Sequence, residues 1–309
     1  MIVSLMFFYI SIILGIILLS FGGDFLVRGS IGLARKLNIS PMIIGIVIIG
    51  LGTSLPEIFV ASNAVINNSS DIAFGSVVGS NIANILLVFS FALIVSKNNL
   101  LKVVSKGDML FMLVITLVLS IFLISGSIQK PFPLIMVLLL PLYFYLSYNF
   151  FNKNIDSEEI IVNENYFKLS ASITVGFIFL FLGSDFFISG LKDLALYYNI
   201  PEIILGLTLA AIGTSLPELA VTISSVRNKA EKILLGNILG SNIINVLGAL
   251  GISSLFGSMI VPDNFSLINY FYLIFSAIWL YLLTRIQLKQ IYLGLFGLAL
   301  YIIYIIFLN

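Results

Sequence analysis

Long apolar stretches alternate with short polar breaks along the whole of this chain, and most of the charged residues fall in the breaks. A helix that crosses the hydrocarbon core of a bilayer needs about 20 mostly apolar residues. Ten stretches of suitable length can be distinguished. They cover residues 3–27, 41–67, 71–95, 107–127, 132–151, 168–190, 201–226, 231–257, 265–284 and 288–308. The pattern predicts an all-α polytopic membrane protein with ten transmembrane helices.

The composition agrees with a membrane protein and narrows its chemistry. Of the 309 residues, 60% are hydrophobic and 9% are charged, so the bilayer has to solvate the apolar surface. Cysteine and histidine are absent, which excludes thiolate and imidazole ligands and leaves oxygen ligands for any bound cation. The net charge is +1, and the sequence has no basic patch that would suggest binding to nucleic acid. Nothing in the sequence points to a cofactor or an obligate partner protein, which is in keeping with a monomer.

The distribution of basic residues predicts the orientation. With the N-terminus outside, thirteen of the 15 Lys and Arg residues fall on the cytoplasmic side, and only Lys130 and Lys192 lie outside. Cytoplasmic loops of membrane proteins carry such an excess. We therefore expect a multi-pass protein of the cell membrane with both termini on the extracytoplasmic side.

The chain contains an internal repeat. Residues 22–86 match residues 183–247 without a gap, at a constant offset of 161 positions. The clearest blocks are GIVIIGLGTSLPE at 45–57 over GLTLAAIGTSLPE at 206–218, and GSVVGSNIANI at 75–85 over GNILGSNIINV at 236–246. A register held over 65 residues indicates duplication.

Each copy carries five predicted spans. Because five is odd, the second copy enters the membrane upside down, which is the inverted-repeat architecture of many secondary transporters. We expect a first repeat at residues 1–151, a short cytoplasmic linker at 152–167 and a second, inverted repeat at 168–309. In such transporters the substrate site lies near the bilayer midplane, where broken helices of the two repeats meet.

The first repeated block predicts these broken helices. Pro56 lies inside a predicted span, where it has no N–H and its ring clashes with the preceding turn. The same break is expected at 213–218 in the second copy. Backbone carbonyls freed at 50–52 and 211–213 are tolerated in a membrane only if they are buried in protein or face a watery cavity. Cavities of that kind bind ions.

Glu57 and Glu218 end these motifs deep within their predicted spans. An ionisable side chain at that depth is costly and by default marks a functional site. The alternative is a capping box, in which Ser54 and Ser215 begin the next helix and each Glu only closes it. The duplication favours cation ligands, and the two interpretations are compatible because a cap can also orient a ligand.

The second repeated block adds polar side chains. Ser80 and Asn84 lie one turn apart on one helix face, as do Ser241 and Asn245. These side chains could merely bridge helices, but their recurrence beside the glutamate motif favours ligands. In each copy the Asn that follows the Ser lies one position off this face, and we expect a structural role for it.

Oxygen ligands of these types suit hard cations. Ca²⁺ takes roughly 6–8 oxygens, and two carboxylates, the hydroxyls of Thr53, Ser54, Thr214 and Ser215, and freed carbonyls can supply them. Na⁺ uses the same ligand types. Two carboxylates match one Ca²⁺ or two Na⁺, so the ions should compete, and an empty site would leave two charges uncompensated in a low dielectric. Competition of this kind is the physical basis of exchange.

The paired motifs resemble those of the calcium/cation antiporter superfamily, and most closely the prokaryotic sodium/calcium exchangers. The resemblance covers the whole chain, and its specific part is GTSLPE in both halves, each followed by G-S-N-I-x-N. It implies ten helices, of which the first and sixth slide across a core bundle to give alternating access. It also implies an ion site formed by Thr53, Ser54, Glu57, Ser80, Asn84, Thr214, Ser215, Glu218, Ser241 and Asn245, with backbone carbonyls near Gly50 and Ala211.

Asn245 departs from part of the family pattern. Some members with this motif carry Asp at this position, and in the potassium-dependent branch that acidic residue is associated with K⁺. Asn245 therefore favours a potassium-independent exchanger.

The leading hypothesis is an antiporter that exchanges Na⁺ for Ca²⁺. Proton-coupled exchange of Ca²⁺ or another divalent cation is the alternative among transporters, with the carboxylates protonated instead of binding Na⁺. A cation channel is less favoured, because broken and inverted helices are typical of transporters. An intramembrane enzyme has the least support, since a glutamate pair alone is a poor catalytic constellation.

Overall fold

A computed structural model describes residues 2–128, 131–151, 165–198, 213–257, 259–261 and 265–307. Its helices are α1 Ile2–Leu37, α2 Pro41–Thr53, α3 Leu55–Ile66, α4 Ser70–Val95, α5 Lys106–Ile124, α6 Phe132–Phe151, α7 Tyr166–Tyr197, α8 Leu216–Arg227, α9 Glu231–Phe256, α10 Leu267–Leu283 and α11 Gln290–Phe307. A 3-10 turn covers Leu100–Lys102. Two short antiparallel strands, β1 Ser127–Ile128 and β2 Met259–Ile260, pair Ser127 with Ile260. The prediction of an all-helical membrane protein is confirmed, apart from this small strand pair.

The helices account for the predicted spans as far as the described residues reach. Seven are long and apolar enough to cross a membrane, and the bent pair α2 and α3 makes an eighth. Helix α10 is apolar but has 17 residues. Of the predicted span 201–226, only the part from Gly213 onward is described, and it contains α8. Residues 152–164 of the predicted linker also lie outside the described residues.

Helix α1 continues well past the predicted boundary at residue 27. The charged side chains near that position do not end it, because a helix can extend beyond the hydrocarbon core into the polar interface. It ends before Asn38, whose φ of 52° lies in the left-handed region that terminates helices.

The sequence repeat is also a repeat of backbone structure. Helices α3 and α8 begin and end at positions 161 apart, and so do the corresponding segments of α4 and α9. The turns between them share an unusual conformation, since Asn68 has φ 56° and its counterpart Lys229 has φ 53°. The correspondence continues past the matched sequence to Ser105 and Ser266, whose hydroxyls cap α5 and α10. The two halves therefore fold in the same way over their described parts.

Helices α1 and α7 form an antiparallel pair at the edge of the bundle. Glycines spaced seven residues apart let their backbones approach, and a Cβ on Gly22 would lie 2.8 Å from the backbone N of Leu180. Likewise a Cβ on Gly183 would lie 2.7 Å from the backbone N of Leu19. In each of these helices 28% of the 18-residue apolar stretch is buried inside the protein, whereas in α9 the corresponding share is 100%. The pair thus packs on itself more than on the rest of the protein.

Helices α4 and α9 form the centre of the molecule. The buried share of their 18-residue apolar stretches is 78% in α4 and 100% in α9. Small residues of α9 let it approach α2 closely, since Gly236 and Gly240 lie against Met42 and Ile46. For Gly75 and Gly79 the described residues provide no such neighbour. The close approach brings the end of α2 beside the middle of α9, where the polar residues of both repeats are concentrated.

Candidate ion-binding site

The predicted helix break of the first copy is present, and the second copy is described from Gly213 onward. Helix α2 ends at Thr53, Ser54 leaves the regular helix with φ −84° and ψ −1°, and α3 continues at an angle of 41°. Pro56 lies in the first turn of α3, where a missing N–H is tolerated. In the second copy Ser215 adopts φ −93° and ψ 4° before α8. Glu57 and Glu218 lie in the first turns of α3 and α8.

The capping-box alternative is not realised in either copy. Ser54 and Ser215 occupy the N-cap positions, but neither side chain makes a capping hydrogen bond. Glu57 and Glu218 are fully buried, and none of their four carboxylate oxygens has a hydrogen-bond partner among the described residues. The two carboxylates are close enough to repel each other electrostatically. Their oxygens are therefore free to coordinate a cation.

Hydroxyl groups from opposite repeats meet beside the carboxylates. The Oγ1 of Thr53 lies 3.1 Å from the Oγ of Ser241, and the Oγ of Ser80 lies 3.0 Å from the Oγ1 of Thr214. These are equivalent pairs under the 161-residue offset. Ser80 also neighbours Glu57, and Thr53 and Ser241 neighbour Glu218. Glu218 is accompanied by hydroxyl groups of both copies, and Glu57 by the hydroxyl of Ser80, which contacts Thr214 of the other copy.

The predicted amide ligands begin segments of π-helix. Asn84 is the first residue of the π segment Asn84–Phe89, and Asn245 begins Asn245–Leu250. A further π segment, Gly45–Gly50, precedes the first helix break. Such segments often occur at functional sites because they displace the normal hydrogen-bond register. Both amide atoms of Asn84 and the Oδ1 of Asn245 are buried without a hydrogen-bond partner in the described part of the chain.

The helix break does not free the Gly50 carbonyl, whose role as a ligand stays a prediction. We expected this carbonyl to be freed by the helix break, but it accepts the Ser54 N–H at 3.1 Å and the Ser241 hydroxyl at 3.5 Å. The proline deprives the carbonyl four positions before it, that of Gly52, of its α-helical donor. Ala211, the other expected carbonyl ligand, lies outside the described residues.

Sequence reasoning missed Asn237. This residue is fully buried in α9, its Oδ1 accepts a hydrogen bond from Thr53 at 3.0 Å, and its Nδ2 has no partner within the described ranges. Its counterpart in the first copy, Ser76, is also a buried polar residue without a partner there. A polar residue at the same position of both copies was the signal that could have identified this position.

A second missed feature is a polar face on α8. Thr222 and Ser225 follow Glu218 on the same face of the helix, and their buried hydroxyls have no partner among the described residues. The equivalent positions of α3 are Ala61 and Ala64. Polar groups therefore extend from the site toward the end of α8 but not along α3.

The acidic pair at the edge of the bundle is not part of the site. Asp24 accepts a hydrogen bond from Ser224 at 2.6 Å and lies 3.6 Å from the guanidinium of Arg227, so it joins α1 to α8. Its counterpart Asp185 is exposed.

Two buried carboxylates, surrounded by neutral oxygen atoms from two copies of a broken-helix motif, define a membrane cation transporter. In the described ranges, no group of three or more acidic side chains is placed to hold a metal ion. Any cation bound at this site therefore meets mostly hydroxyl, amide and carbonyl oxygens.

Comparison with known proteins identifies the family. The profile described as "Sodium/calcium exchanger protein" matches residues 7–149 and 168–309, and the chain belongs to this family. It is 31% identical over 270 residues to the putative antiporter CaxA of Alkalimonas amylolytica, covering 82% of this chain and 81% of that protein. It is 28% identical over 296 residues to the sodium/calcium exchanger MaX1 of Methanosarcina acetivorans, covering 82% and 85%.

A solved structure shares the fold. The sodium-calcium exchanger NCX_Mj, soaked with Na⁺ and Sr²⁺, superimposes with a TM-score of 0.83 at 30% identity, covering 97% of this chain and 98% of that one. Family and fold together confirm a multi-pass membrane protein of the cation exchanger class. The family consists of transporters and not of enzymes.

Proposed function

We propose that this protein is a secondary antiporter that exchanges Na⁺ for Ca²⁺ by alternating access, without a requirement for K⁺. The observation that carries the proposal is the burial of the Glu57 and Glu218 carboxylates with no hydrogen-bond partner in the described part of the protein. Two bare charges in a low dielectric are strongly unfavourable. One Ca²⁺ or two Na⁺ would neutralise them. After one kind of ion has dissociated, the other kind can therefore bind and neutralise the same carboxylates.

The proposed ligands are those expected from the sequence. Oxygen atoms of both repeats surround the carboxylates, and the hydroxyl pairs at 3.0 and 3.1 Å support a shared site. The set comprises Glu57, Glu218, Thr53, Ser54, Thr214, Ser215, Ser80, Asn84, Ser241 and Asn245, with the carbonyls of Gly50 and Ala211. A neutral amide at position 245 limits the acidic ligands to two, which supports independence from K⁺.

The proposed architecture is ten transmembrane helices in two inverted repeats, 1–151 and 168–309, joined by a linker at 152–167. Equivalent helices α1 and α7 pack antiparallel, since Gly22 faces Leu180 while Gly29 faces Ile173. Antiparallel packing of equivalent helices supports the inversion. The excess of basic residues supports termini on the outside, and we propose that the transporter is monomeric.

Proton-coupled exchange of Ca²⁺ or another divalent cation is the second candidate. The same bare carboxylates favour it, because a proton on each would also neutralise the empty site. The two candidates differ in which ion drives Ca²⁺ movement, and a flux measurement distinguishes them.

The deciding experiment measures ⁴⁵Ca²⁺ uptake into proteoliposomes preloaded with Na⁺, K⁺ or choline at matched pH. We expect uptake only with internal Na⁺ and no change on adding K⁺. Uptake into Na⁺-free vesicles driven by a pH gradient would replace Na⁺ with H⁺ as the coupling ion. Equal uptake in all vesicles would contradict obligatory exchange.

A further inference from the structure

We propose that Asn81, outside the ligand set, is a positioning residue that determines which amide atom Asn245 presents to the ion site. Asn81 is 1% exposed and lies on α4, next to Ser80. Its Oδ1 accepts a hydrogen bond from the Nδ2 of Asn245 at 3.1 Å. Its own Nδ2 donates to the backbone carbonyl of Asn242 at 3.2 Å. Two central helices, α4 and α9, are joined by this short chain of bonds.

The backbone carbonyl of Asn242 determines the direction of these hydrogen bonds. A carbonyl can only accept a hydrogen bond, so Asn81 has to turn its Nδ2 toward Asn242 and its Oδ1 toward Asn245. Asn245 then has to offer its Nδ2 to Asn81. The Oδ1 of Asn245 is consequently directed away from Asn81, and it is buried without a partner among the described residues. An oxygen held in this way can coordinate a cation without first being reoriented.

The same bonds select an amide over a carboxylate at position 245. An Asp there would set a carboxylate oxygen against the Oδ1 of Asn81. Rotating the Asn81 amide would remove that conflict but would turn its Oδ1 toward the Asn242 carbonyl. For an ionised Asp, either arrangement brings two buried acceptors together without a proton between them, which is unfavourable. Asn81 therefore helps to keep the number of acidic ligands at two.

The equivalent residue of the second copy does not perform this task. The Nδ2 of Asn242 donates to the carbonyl of Ile238 in its own helix at 2.8 Å, and both amide atoms of Asn84 are without a partner in the described chain. The two copies thus differ at a matched position. Asn242→Ala is accordingly a control that removes the same side chain without altering the orientation of Asn245.

Because Asn245 is a ligand only under the proposed function, this role of Asn81 rests on that proposal. The test is a double-mutant cycle on the full chain in detergent, with ⁴⁵Ca²⁺ equilibrium binding and Na⁺ competition as readouts. We expect Asn81→Ala to weaken Ca²⁺ binding about tenfold, equivalent to about 1.4 kcal/mol. We expect the same loss in Asn245→Ala and in the double variant, and no loss in Asn242→Ala.

Thermal unfolding without Ca²⁺ or Na⁺ shows whether each variant is folded, so a loss of binding can be distinguished from a loss of folding. If Asn81→Ala does not fold, Asn81→Ser replaces it. Additive losses in the double variant, or unchanged binding after the Asn81 substitution, would overturn the role of Asn81 alone. Failure of the wild type to bind Ca²⁺ or Na⁺ would overturn the proposed function together with it.

Discussion

The two glutamates are the residues whose surroundings differ most from those of an ordinary buried side chain. Most buried polar groups have hydrogen-bond partners, whereas the four carboxylate oxygens of Glu57 and Glu218 have none among the described residues. Local stability alone does not account for this arrangement. It is suited to an ion that arrives with its own positive charge.

Changing Glu57 or Glu218 to Gln should abolish Ca²⁺ flux while preserving the fold. Gln keeps the size of the side chain but halves the negative charge available to Ca²⁺. Removing an uncompensated buried charge should leave thermal stability in Ca²⁺-free and Na⁺-free buffer equal or higher. The measurements are ⁴⁵Ca²⁺ uptake and thermal unfolding, with Asp185→Asn at an exposed carboxylate as the control. Normal flux in Glu57→Gln would contradict the ligand assignment.

A buried acid elsewhere has a structural explanation. Asp108 is fully buried and accepts a hydrogen bond from the Tyr143 hydroxyl at 3.0 Å. The equivalent pair in the second copy is Tyr304 and Asn269, at 2.9 Å. Because an amide fills the same position there, a charge is not required for this contact.

Tyr143→Phe should therefore destabilise the protein by about 1–3 kcal/mol, because it removes a hydrogen bond from a buried carboxylate. Tyr304→Phe should destabilise it less, since its partner is neutral. Chemical or thermal unfolding of both variants in the same detergent checks the difference. A larger loss for Tyr304→Phe would show that the charge of Asp108 is not what makes the first contact important.

Among the elements, the broken helices could be predicted from the sequence and the π segments could not. Pro56 and its repeat counterpart indicate the breaks through local backbone chemistry. The π segments at Asn84 and Asn245 lie where α4 and α9 pack together. The pattern of residues along the sequence does not reveal this packing. The capping box suggested by Ser54 and Glu57 fails for a similar reason, since local spacing does not reveal the second carboxylate nearby.

In the proposed orientation the contact between α1 and α8 lies on the cytoplasmic side, and we expect it to restrict access to the site from there. Asp24 bonds Ser224 and pairs with Arg227, and Arg28 donates to Asn228 at 3.3 Å. The equivalent of Arg227 in the first copy is Ile66, so this ion pair cannot form on the opposite side.

Asp24→Asn should loosen this contact. A Cys introduced at Ser225, which is fully buried, should then react several-fold faster with a membrane-impermeant thiol reagent added to the cytoplasmic side. The chain has no native Cys, so the reporter is unambiguous. Asp185→Asn is the matched control and should leave the rate unchanged. Equal rates in Asp24→Asn and the wild type would mean that the contact does not restrict access.

At the scale of the whole molecule, ions that fill the site should stabilise the folded protein. A ligand present at 100 times its Kd adds about 2.7 kcal/mol to the free energy of unfolding. We expect Ca²⁺ and Na⁺ to raise the Tm separately, and Na⁺ to reduce the effect of Ca²⁺ when both are present. K⁺ at the same ionic strength is the control. A rise with K⁺ equal to that with Na⁺ would count against the proposed selectivity.

Under the proposed function, the polar face of α8 should make the two halves of the transport cycle differ kinetically. Ions that leave along Thr222 and Ser225 pass hydroxyl groups that can replace part of their hydration shell, whereas the equivalent surface of α3 offers Ala61 and Ala64. The unequal surfaces lower one barrier more than the other. They cannot alter the equilibrium ratio of ions across the membrane, because a pathway has no influence on the free energies of its end states. Duplication has thus preserved the glutamates and hydroxyl pairs of the site, while the helix surfaces beside them have diverged.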